Sequence, residues 1–314
     1  MQAALSHHAD DAKACYYLGC LYYDKRQYDL AERYWNRSAE ACPEFPTVWR
    51  NLALAMFNKE HNEDQTIEYM EKAFALDTTD ARILMELDQL YKRMGHPHAT
   101  RLQLLQKYPE LIAKRDDLLL EEITLLNQTG QYEEAMKKLD AHQFHPWEGG
   151  EGKVSGQYQL CRLELAKKAL VAKDYDKAIQ LLEECLVYPH HLGEGKLYGA
   201  QENDFYYFYQ GLALLKLGRV GEAHGRFYKL VNYGKNHLFE NVVMDYFAVS
   251  LPDLQIWEGD LNLSNKIHCK YMLALGFYGL GDKRHAERYL AEASLLDKNH
   301  LGILSFQTLI DLGL

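Results

Sequence analysis

Small and large side chains recur in this sequence with a period of about 34 residues. In the first copy Leu18, Gly19 and Tyr22 share one helical face, and Ala31 and Trp35 share the next. Small residues let two helices approach closely, and large ones fill the space beside them. The pattern predicts antiparallel helix pairs, each in contact mainly with its neighbours. It returns in the groups Leu52, Ala53, Met70, Ala73; Leu84, Leu87, Asp88, Tyr91; Leu119, Ile123, Ala135, Leu139; Leu165, Ala166, Ala178, Leu182; Tyr207, Gly211, Ala223, Phe227; and Leu273, Ala274, Ala286, Leu290.

This period and these positions are typical of the tetratricopeptide repeat (TPR). We therefore expect an all-α fold, a right-handed TPR α-solenoid of about seven helix hairpins with inserted Gly-rich loops and a C-terminal capping helix over 301–312. Residues 1–143 form regular units, and residues 144–314 form TPR-like units with inserted loops. In the second repeat, the residues of the second helix are displaced by one position relative to the expected spacing. The sixth pair is predicted over 204–230, and a lone or degenerate helix over 238–251.

Composition narrows the classes of partner. The 314 residues carry a net charge of −10, and nucleic-acid binding needs a surplus of Lys and Arg instead. The most apolar stretch, 205–217, is too short and too polar to span a bilayer. The six cysteines include no Cys-x-x-Cys pair, which indicates reduced thiols in a cytoplasmic protein. We expect neither a nucleic-acid partner nor a membrane partner.

Two segments interrupt the period and share the tetrapeptide Gly-Glu-Gly-Lys. They occupy residues 145–153 and 188–196, with the tetrapeptides 43 residues apart. Each follows the second helix of a pair, so both are expected on one edge of the solenoid, near the polar run 201–204. Tight solvated turns are one interpretation, and recognition of a partner or a sugar is the other. The candidate binding residues are Trp147, Glu148, Glu151, Lys153, Glu194, Lys196, Glu202, Asn203 and Asp204.

A second candidate surface is the concave face, which the first helices of the pairs line. Its predicted binding residues are Tyr16, Tyr23, Arg50 and Arg82. A chaperone-type carboxylate clamp needs five matching positions here, and only two of the five residues present suit it. The combination of tyrosine and arginine side chains favours a polar groove that recognises aromatic groups. Further residues predicted on this face are Phe57, Lys92, Phe205, Phe208, Tyr271 and Tyr278.

Catalytic and metal-binding patterns are absent from the sequence. The pairs His142 with His145 and His190 with His191 have no third ligand at a diagnostic spacing. No nucleophile motif or phosphate-binding loop is visible. The sequence therefore predicts a non-catalytic interaction scaffold with no cofactor and no metal.

Several short sequence motifs resemble those of large, mostly bacterial proteins in which a sugar-mutarotase-like β-sandwich of unannotated function precedes TPRs. The motifs are Pro-Thr-Val-Trp-Arg-Asn-Leu at 46–52, Phe-His-Pro-Trp-Glu-Gly-Gly-Glu-Gly-Lys at 144–153 and Asp-Tyr-Phe-Ala-Val-Ser-Leu-Pro-Asp at 245–253. The resemblance implies the C-terminal part of a longer product or a stand-alone relative. It also implies a protein or a neighbouring β-sandwich domain as partner, with an accessory role in a carbohydrate-active assembly as the alternative.

Overall fold

The structure is a computed structural model that describes residues 11–147, 150, 152–185, 187–193, 205–243 and 259–311. Every regular element in these ranges is helical, as the periodicity predicts. The described residues group into two compact units that divide at residues 118/119. The repeat pattern instead becomes irregular at residue 143, so the division into 1–143 and 144–314 stays a prediction about sequence regularity.

The first unit holds three helix hairpins. They pair α1 (Ala12–Asp24) with α2 (Tyr28–Ala41), α3 (Pro46–Ala55) with α4 (Glu63–Leu76), and α5 (Ala81–Arg93) with α6 (His98–Leu105), followed by the short α7 (Pro109–Ile112).

The second unit holds four further hairpins and a last helix. They pair α8 (Asp116–Gln128), which contains the boundary, with α9 (Tyr132–Ala141); α10 (Lys153–Val171) with α11 (Tyr175–Glu184); α12 (Phe205–Lys216) with α13 (Val220–His237); and α14 (Leu261–Gly279) with α15 (Lys283–Leu296), before α16 (Leu301–Asp311).

The first hairpin shows why the small-residue positions matter. Ala31 is fully buried, and a Cβ atom on Gly19 would lie 2.3 Å from the Trp35 ring. The Trp35 indole also donates a hydrogen bond of 3.2 Å to the carbonyl of Tyr16. The close packing of Trp35 against α1 therefore requires glycine at residue 19. In the sixth hairpin Gly211 faces the Phe227 ring in the same way.

Each of the seven hairpins turns through one residue with a left-handed backbone. Glycine accepts a positive φ without steric cost, whereas a residue with a Cβ atom does not. Four turns use glycine, and the other three use residues with side chains. The seven residues are Arg26, His61, Gly95, Gly130, Lys173, Gly218 and Gly281.

Replacing Lys173 with glycine is expected to stabilise the second unit. Lys173 is exposed with φ of 62°, so the substitution relieves strain and removes only a solvated side chain. The greater freedom of glycine in the unfolded chain offsets part of that gain, leaving about 0.5–1 kcal/mol. Urea unfolding should show this gain, and Gly218→Ala at the equivalent turn should show a loss. Identical midpoints for both variants and the parent would contradict this account of the turn.

The displaced register of the second hairpin has a local cause. α3 continues as a π-helix over Met56–Glu60, and His61 then takes φ of 53°. A π turn holds one residue more than an α turn, so it absorbs the extra residue that the sequence spacing indicates. Asn62 follows and begins α4 by accepting a hydrogen bond of 3.1 Å from the backbone of Gln65.

The third hairpin carries an acid where the repeat expects a small residue. Asp88 on α5 faces Arg101 on α6, and both side chains are completely buried. The guanidinium of Arg101 donates two hydrogen bonds to the carboxylate, 3.0 Å from Nε and 2.7 Å from Nη2. This bidentate pair replaces the apolar contact between the helices.

The sixth and seventh hairpins pack closely through glycine. A Cβ atom on Gly276 of α14 would lie 2.9 Å from the carbonyl oxygen of Phe227 and 3.0 Å from the amide nitrogen of Val231, both on α13. These neighbours are backbone atoms, which cannot rotate away. The contact therefore depends on the absence of a side chain at residue 276.

Two sequence predictions for the second unit need correction. The second helix of the sixth hairpin does not end at Leu230 but runs to His237, because its buried stripe continues through Val231 and Gly234. Residues 239–243 are not helical, so the lone helix predicted over 238–251 is wrong for its described part. Its remaining residues, 244–251, lie outside the described residues.

Candidate functional site

The predicted concave face of the first unit centres on one buried carboxylate. Glu86 of α5 is fully buried and accepts two hydrogen bonds of 2.6 Å from Arg50 of α3. Arg82, one turn earlier on α5, donates a third of 2.9 Å through its Nε. Two guanidinium groups around one carboxylate leave a local excess of one positive charge. The Arg82 side chain is 56% exposed, so this charge faces solvent.

A polar row extends from this centre to α1. Arg50 donates to the side-chain oxygen of Asn51 at 3.0 Å, and the Asn51 amide donates to the Cys20 sulfur at 3.5 Å. Tyr16 lies beside Cys20, and burial together with Cys20 raises the pKa of its hydroxyl to about 12. Tyr16 therefore stays neutral and presents a half-buried aromatic ring beside the arginines.

Tyr23 takes a different position from the other predicted groove residues. Its ring centroid lies 5.1 Å from that of Tyr28 and 5.3 Å from that of Trp35, both on α2. It therefore packs inside the first hairpin, while Tyr16, Arg50 and Arg82 are connected along α1, α3 and α5. Sequence spacing did not identify Glu86 as the residue that holds the two arginines, although its separation of four residues from Arg82 was a usable signal.

The residues that precede the two Gly-Glu-Gly-Lys sequences touch one another. The Phe144 amide donates a hydrogen bond of 2.8 Å to the carbonyl of His191. Gly193, with φ of 72°, lies so close that a Cβ atom would be 2.4 Å from the carbonyl oxygen of Phe144. Glycine at residue 193 therefore permits a close approach between two backbone segments.

Only two of the nine predicted loop residues are described. Trp147 is half-buried and lies over Gly150, where a Cβ atom would be 2.3 Å from the indole ring. Lys153 is exposed at the first position of α10. A common surface for the nine stays a prediction. Glu148, Glu151, Glu194, Lys196, Glu202, Asn203 and Asp204 lie outside the described residues.

The predicted C-terminal helix is present as α16, and it covers more than the last hairpin. α16 packs along the first helices of three hairpins, α10, α12 and α14. Phe208 and Tyr271, predicted to line an open groove, are therefore almost completely buried. The physical reason is that the nearly uncharged α16 has an apolar stripe of its own to bury. One charged residue, Asp311, in eleven was the available signal.

Two imidazoles near this groove make the second unit sensitive to acid. Burial lowers the pKa of His268 on α14 to about 4, with a smaller effect of His300, and burial also lowers the pKa of His300. The folded chain thus resists protonation that the unfolded chain accepts below its ordinary pKa of about 6.5. Stability therefore rises with pH in this window and is lost as pH falls from about 6.5 towards 4.

We expect this effect to be measurable as a loss on the order of 2 kcal/mol across the window. Chemical unfolding at a series of pH values should show the slope in the parent chain. His268→Asn should flatten it, whereas His145→Asn, at an exposed position, should not. An unchanged slope in His268→Asn would refute the assignment.

The described residues hold neither a disulfide nor a metal-binding cluster. None of the six cysteines forms a disulfide, and burial raises the pKa of Cys161 and of Cys185 to about 12. A search of the described part for three His, Cys, Asp or Glu side chains able to hold a metal found none. No helix in that part is long and apolar enough to cross a membrane.

Comparison with known proteins defines the class of fold. No protein-family model matches the chain. Its structure is similar to that of a tetratricopeptide repeat protein from Parabacteroides merdae, with a TM-score of 0.53 and 12% identity over 96% of this chain and 98% of that one. It is also similar to the C-terminal part of a TPR protein from Cytophaga hutchinsonii, with a TM-score of 0.43 and 14% identity over 92% and 98% of the two chains. The first of these two likenesses shows that the fold is that of TPR proteins.

Proposed function

We propose that this chain is a non-catalytic TPR scaffold, and that the face made by α1, α3 and α5 binds a carboxylate-bearing segment of a protein partner. The observation that carries the proposal is the exposed Arg82, held in place by buried Glu86. A guanidinium fixed through its Nε keeps its outer edge for a second planar acceptor, which a carboxylate matches.

The neighbouring residues favour a short segment over a broad acidic surface. Tyr16 offers an apolar ring with a neutral hydroxyl, a combination that binds side chains next to the charged group. The whole chain carries a charge of −10 and repels a strongly acidic domain at long range. A partner segment with one carboxylate and an apolar or aromatic neighbour satisfies both conditions.

The test is affinity capture from a lysate of the native host, followed by direct titration with the captured partner. Arg82→Gln should reduce binding at least tenfold at an unchanged melting temperature, because Arg50 alone still pairs with Glu86. The matched control is Lys107→Gln, the same type of charge loss at an exposed position of the first unit. Equal binding by parent, Arg82→Gln and control would reject the proposed face.

The resemblance stated for the sequence adds a finer prediction about the partner. That partner would be a neighbouring β-sandwich domain of the mutarotase-like type, and both this partner and a cytoplasmic location stay predictions. Titration of such a domain with this chain would test the partner. The alternative, carbohydrate binding by the loop residues, also stays a prediction. Among the described residues no contact favours it over a protein partner.

A further inference from the structure

α16 packs on the second unit through a regularly spaced set of buried residues. Its buried residues Gly302, Ser305, Phe306 and Leu309 follow the spacing i, i+3, i+4, i+7, which places them on one face. Gln307, between them in sequence, is exposed. These four residues form a buried stripe along α16, as in a helix seated in a recognition groove, and Ile303 packs beside it.

Aromatic rings form the walls of this groove. The Phe306 ring centroid lies 5.8 Å from that of Phe208 on α12 and 5.1 Å from that of Tyr278 on α14. Near the start of α16, a Cβ atom on Gly302 would lie 2.4 Å from the Tyr271 ring. The groove therefore accepts an aromatic side chain at one position and requires a very small residue one turn earlier.

An ion pair forms the floor. Glu164 and Lys167 of α10 are 2.6 Å apart, with side chains only 4% and 0% exposed. A buried ion pair is costly unless further hydrogen bonds satisfy it. Ser305 supplies them, since its hydroxyl lies 2.7 Å from Lys167 Nζ and 2.7 Å from Glu164 Oε1, and its carbonyl accepts from Lys167 and, at 3.3 Å, from Tyr209.

The ion pair lowers the free-energy cost of uncovering the groove. If α16 left, Glu164 and Lys167 would keep each other and gain water, so the exposed surface would be a solvated ion pair between aromatic walls. A wholly apolar floor would instead bind α16 as an ordinary part of the core. The floor has no net charge, which matches the nearly uncharged α16 and disfavours a highly charged occupant.

We infer that the groove of α10, α12 and α14 is a helix-binding site, that α16 is its resident occupant, and that a partner helix with the same pattern displaces α16. The pattern is a small residue, a hydroxyl residue, an aromatic residue and an aliphatic residue at i, i+3, i+4 and i+7, with little charge. This site uses other helices than the Arg82 face, so either proposal can fail alone.

The first test uses a fluorescent peptide of residues 299–311 and the full chain. The double variant Phe306→Ala, Leu309→Ala weakens the hold of α16 and leaves the groove unaltered. The peptide should bind this variant at least tenfold more tightly than it binds the parent or the control variant Gln307→Ala. A peptide carrying Ser305→Ala should bind the double variant more weakly, because it cannot complete the floor. Equal affinity for all three chains overturns the proposal.

A second measurement needs no variant, which matters if the double variant fails to fold. In hydrogen–deuterium exchange of the parent chain, amides of α16 should exchange well before those of α14. Exchange of both helices together, by global unfolding only, would show that α16 is an inseparable part of the core and overturn the proposal. A concentration-dependent dimer of the parent that Phe306→Ala abolishes would identify a second copy as the occupant, and would also overturn it.

Discussion

Replacing Asp88 with alanine is expected to destabilise the first unit by about 3–5 kcal/mol. The substitution removes the only acid in the bidentate contact with Arg101 and leaves a guanidinium in a site with no exposure to water. The lost Coulomb attraction is the smaller part of the cost. The larger part is the desolvation of an arginine that no longer has its counter-charge.

The control separates the value of the pair from the cost of breaking it. Asp88→Leu combined with Arg101→Met replaces both charges by apolar groups of similar length. Such replacements are often neutral or stabilising, so the double variant should unfold within about 1 kcal/mol of the parent. Denaturant unfolding followed by circular dichroism measures all three chains. If Asp88→Ala cost no more than the double variant, the ion pair would not be the feature that joins α5 to α6.

Gly276→Val is expected to cost about 3 kcal/mol and to loosen the contact between α13 and α14. Its new side chain would meet the carbonyl of Phe227 and the amide of Val231, so a helix must move. Such a movement also opens the core that Phe227 shares with Phe208 and Leu275.

A matched glycine on the partner helix gives the opposite expectation. Gly225 lies within α13, and a Cβ atom there would meet no described residue of another element within 4 Å. Gly225→Ala should therefore stabilise the helix by about 0.5–1 kcal/mol, the ordinary difference in helix propensity. Thermal unfolding of both variants decides the matter. A loss of stability in Gly225→Ala equal to that in Gly276→Val would contradict this account, because the space around each glycine would then not decide what it tolerates.

The hairpins could be predicted because their determinants lie close together in sequence. Gly19, Ala31 and Trp35 belong to one pair of helices, and their spacing alone fixes which side chains meet. The same logic located the extra residue of the second hairpin, although spacing could not show that a π-helix absorbs it. Local patterns encode local packing, and a repeat protein consists largely of such contacts.

Contacts between distant parts of the sequence could not be predicted in this way. Ser305 meets Lys167 across 138 residues, and no periodic pattern relates them. Glu164 and Lys167 have the i, i+3 spacing that is also common in exposed ion pairs, and this spacing does not show that α16 buries them. Similarly, the residues around Glu86 in the sequence do not show that Arg50, 36 residues earlier, lies beside it. The candidate sites therefore depend on the order of helices in space, which single-helix patterns do not contain.

The π-helix at Met56–Glu60 affects how the repeats are spaced along the chain. One residue inserted into an α-helix rotates everything after it by about 100°, which would turn the buried stripe of that helix towards solvent. Here the rotation is confined to five residues, and α4 starts with its buried positions, Thr66, Met70 and Ala73, facing inward. A π turn at the end of a first helix thus accommodates an extra residue without rotating the helix that follows. It allows the length of one repeat to vary by a residue while the neighbouring repeats keep their packing register.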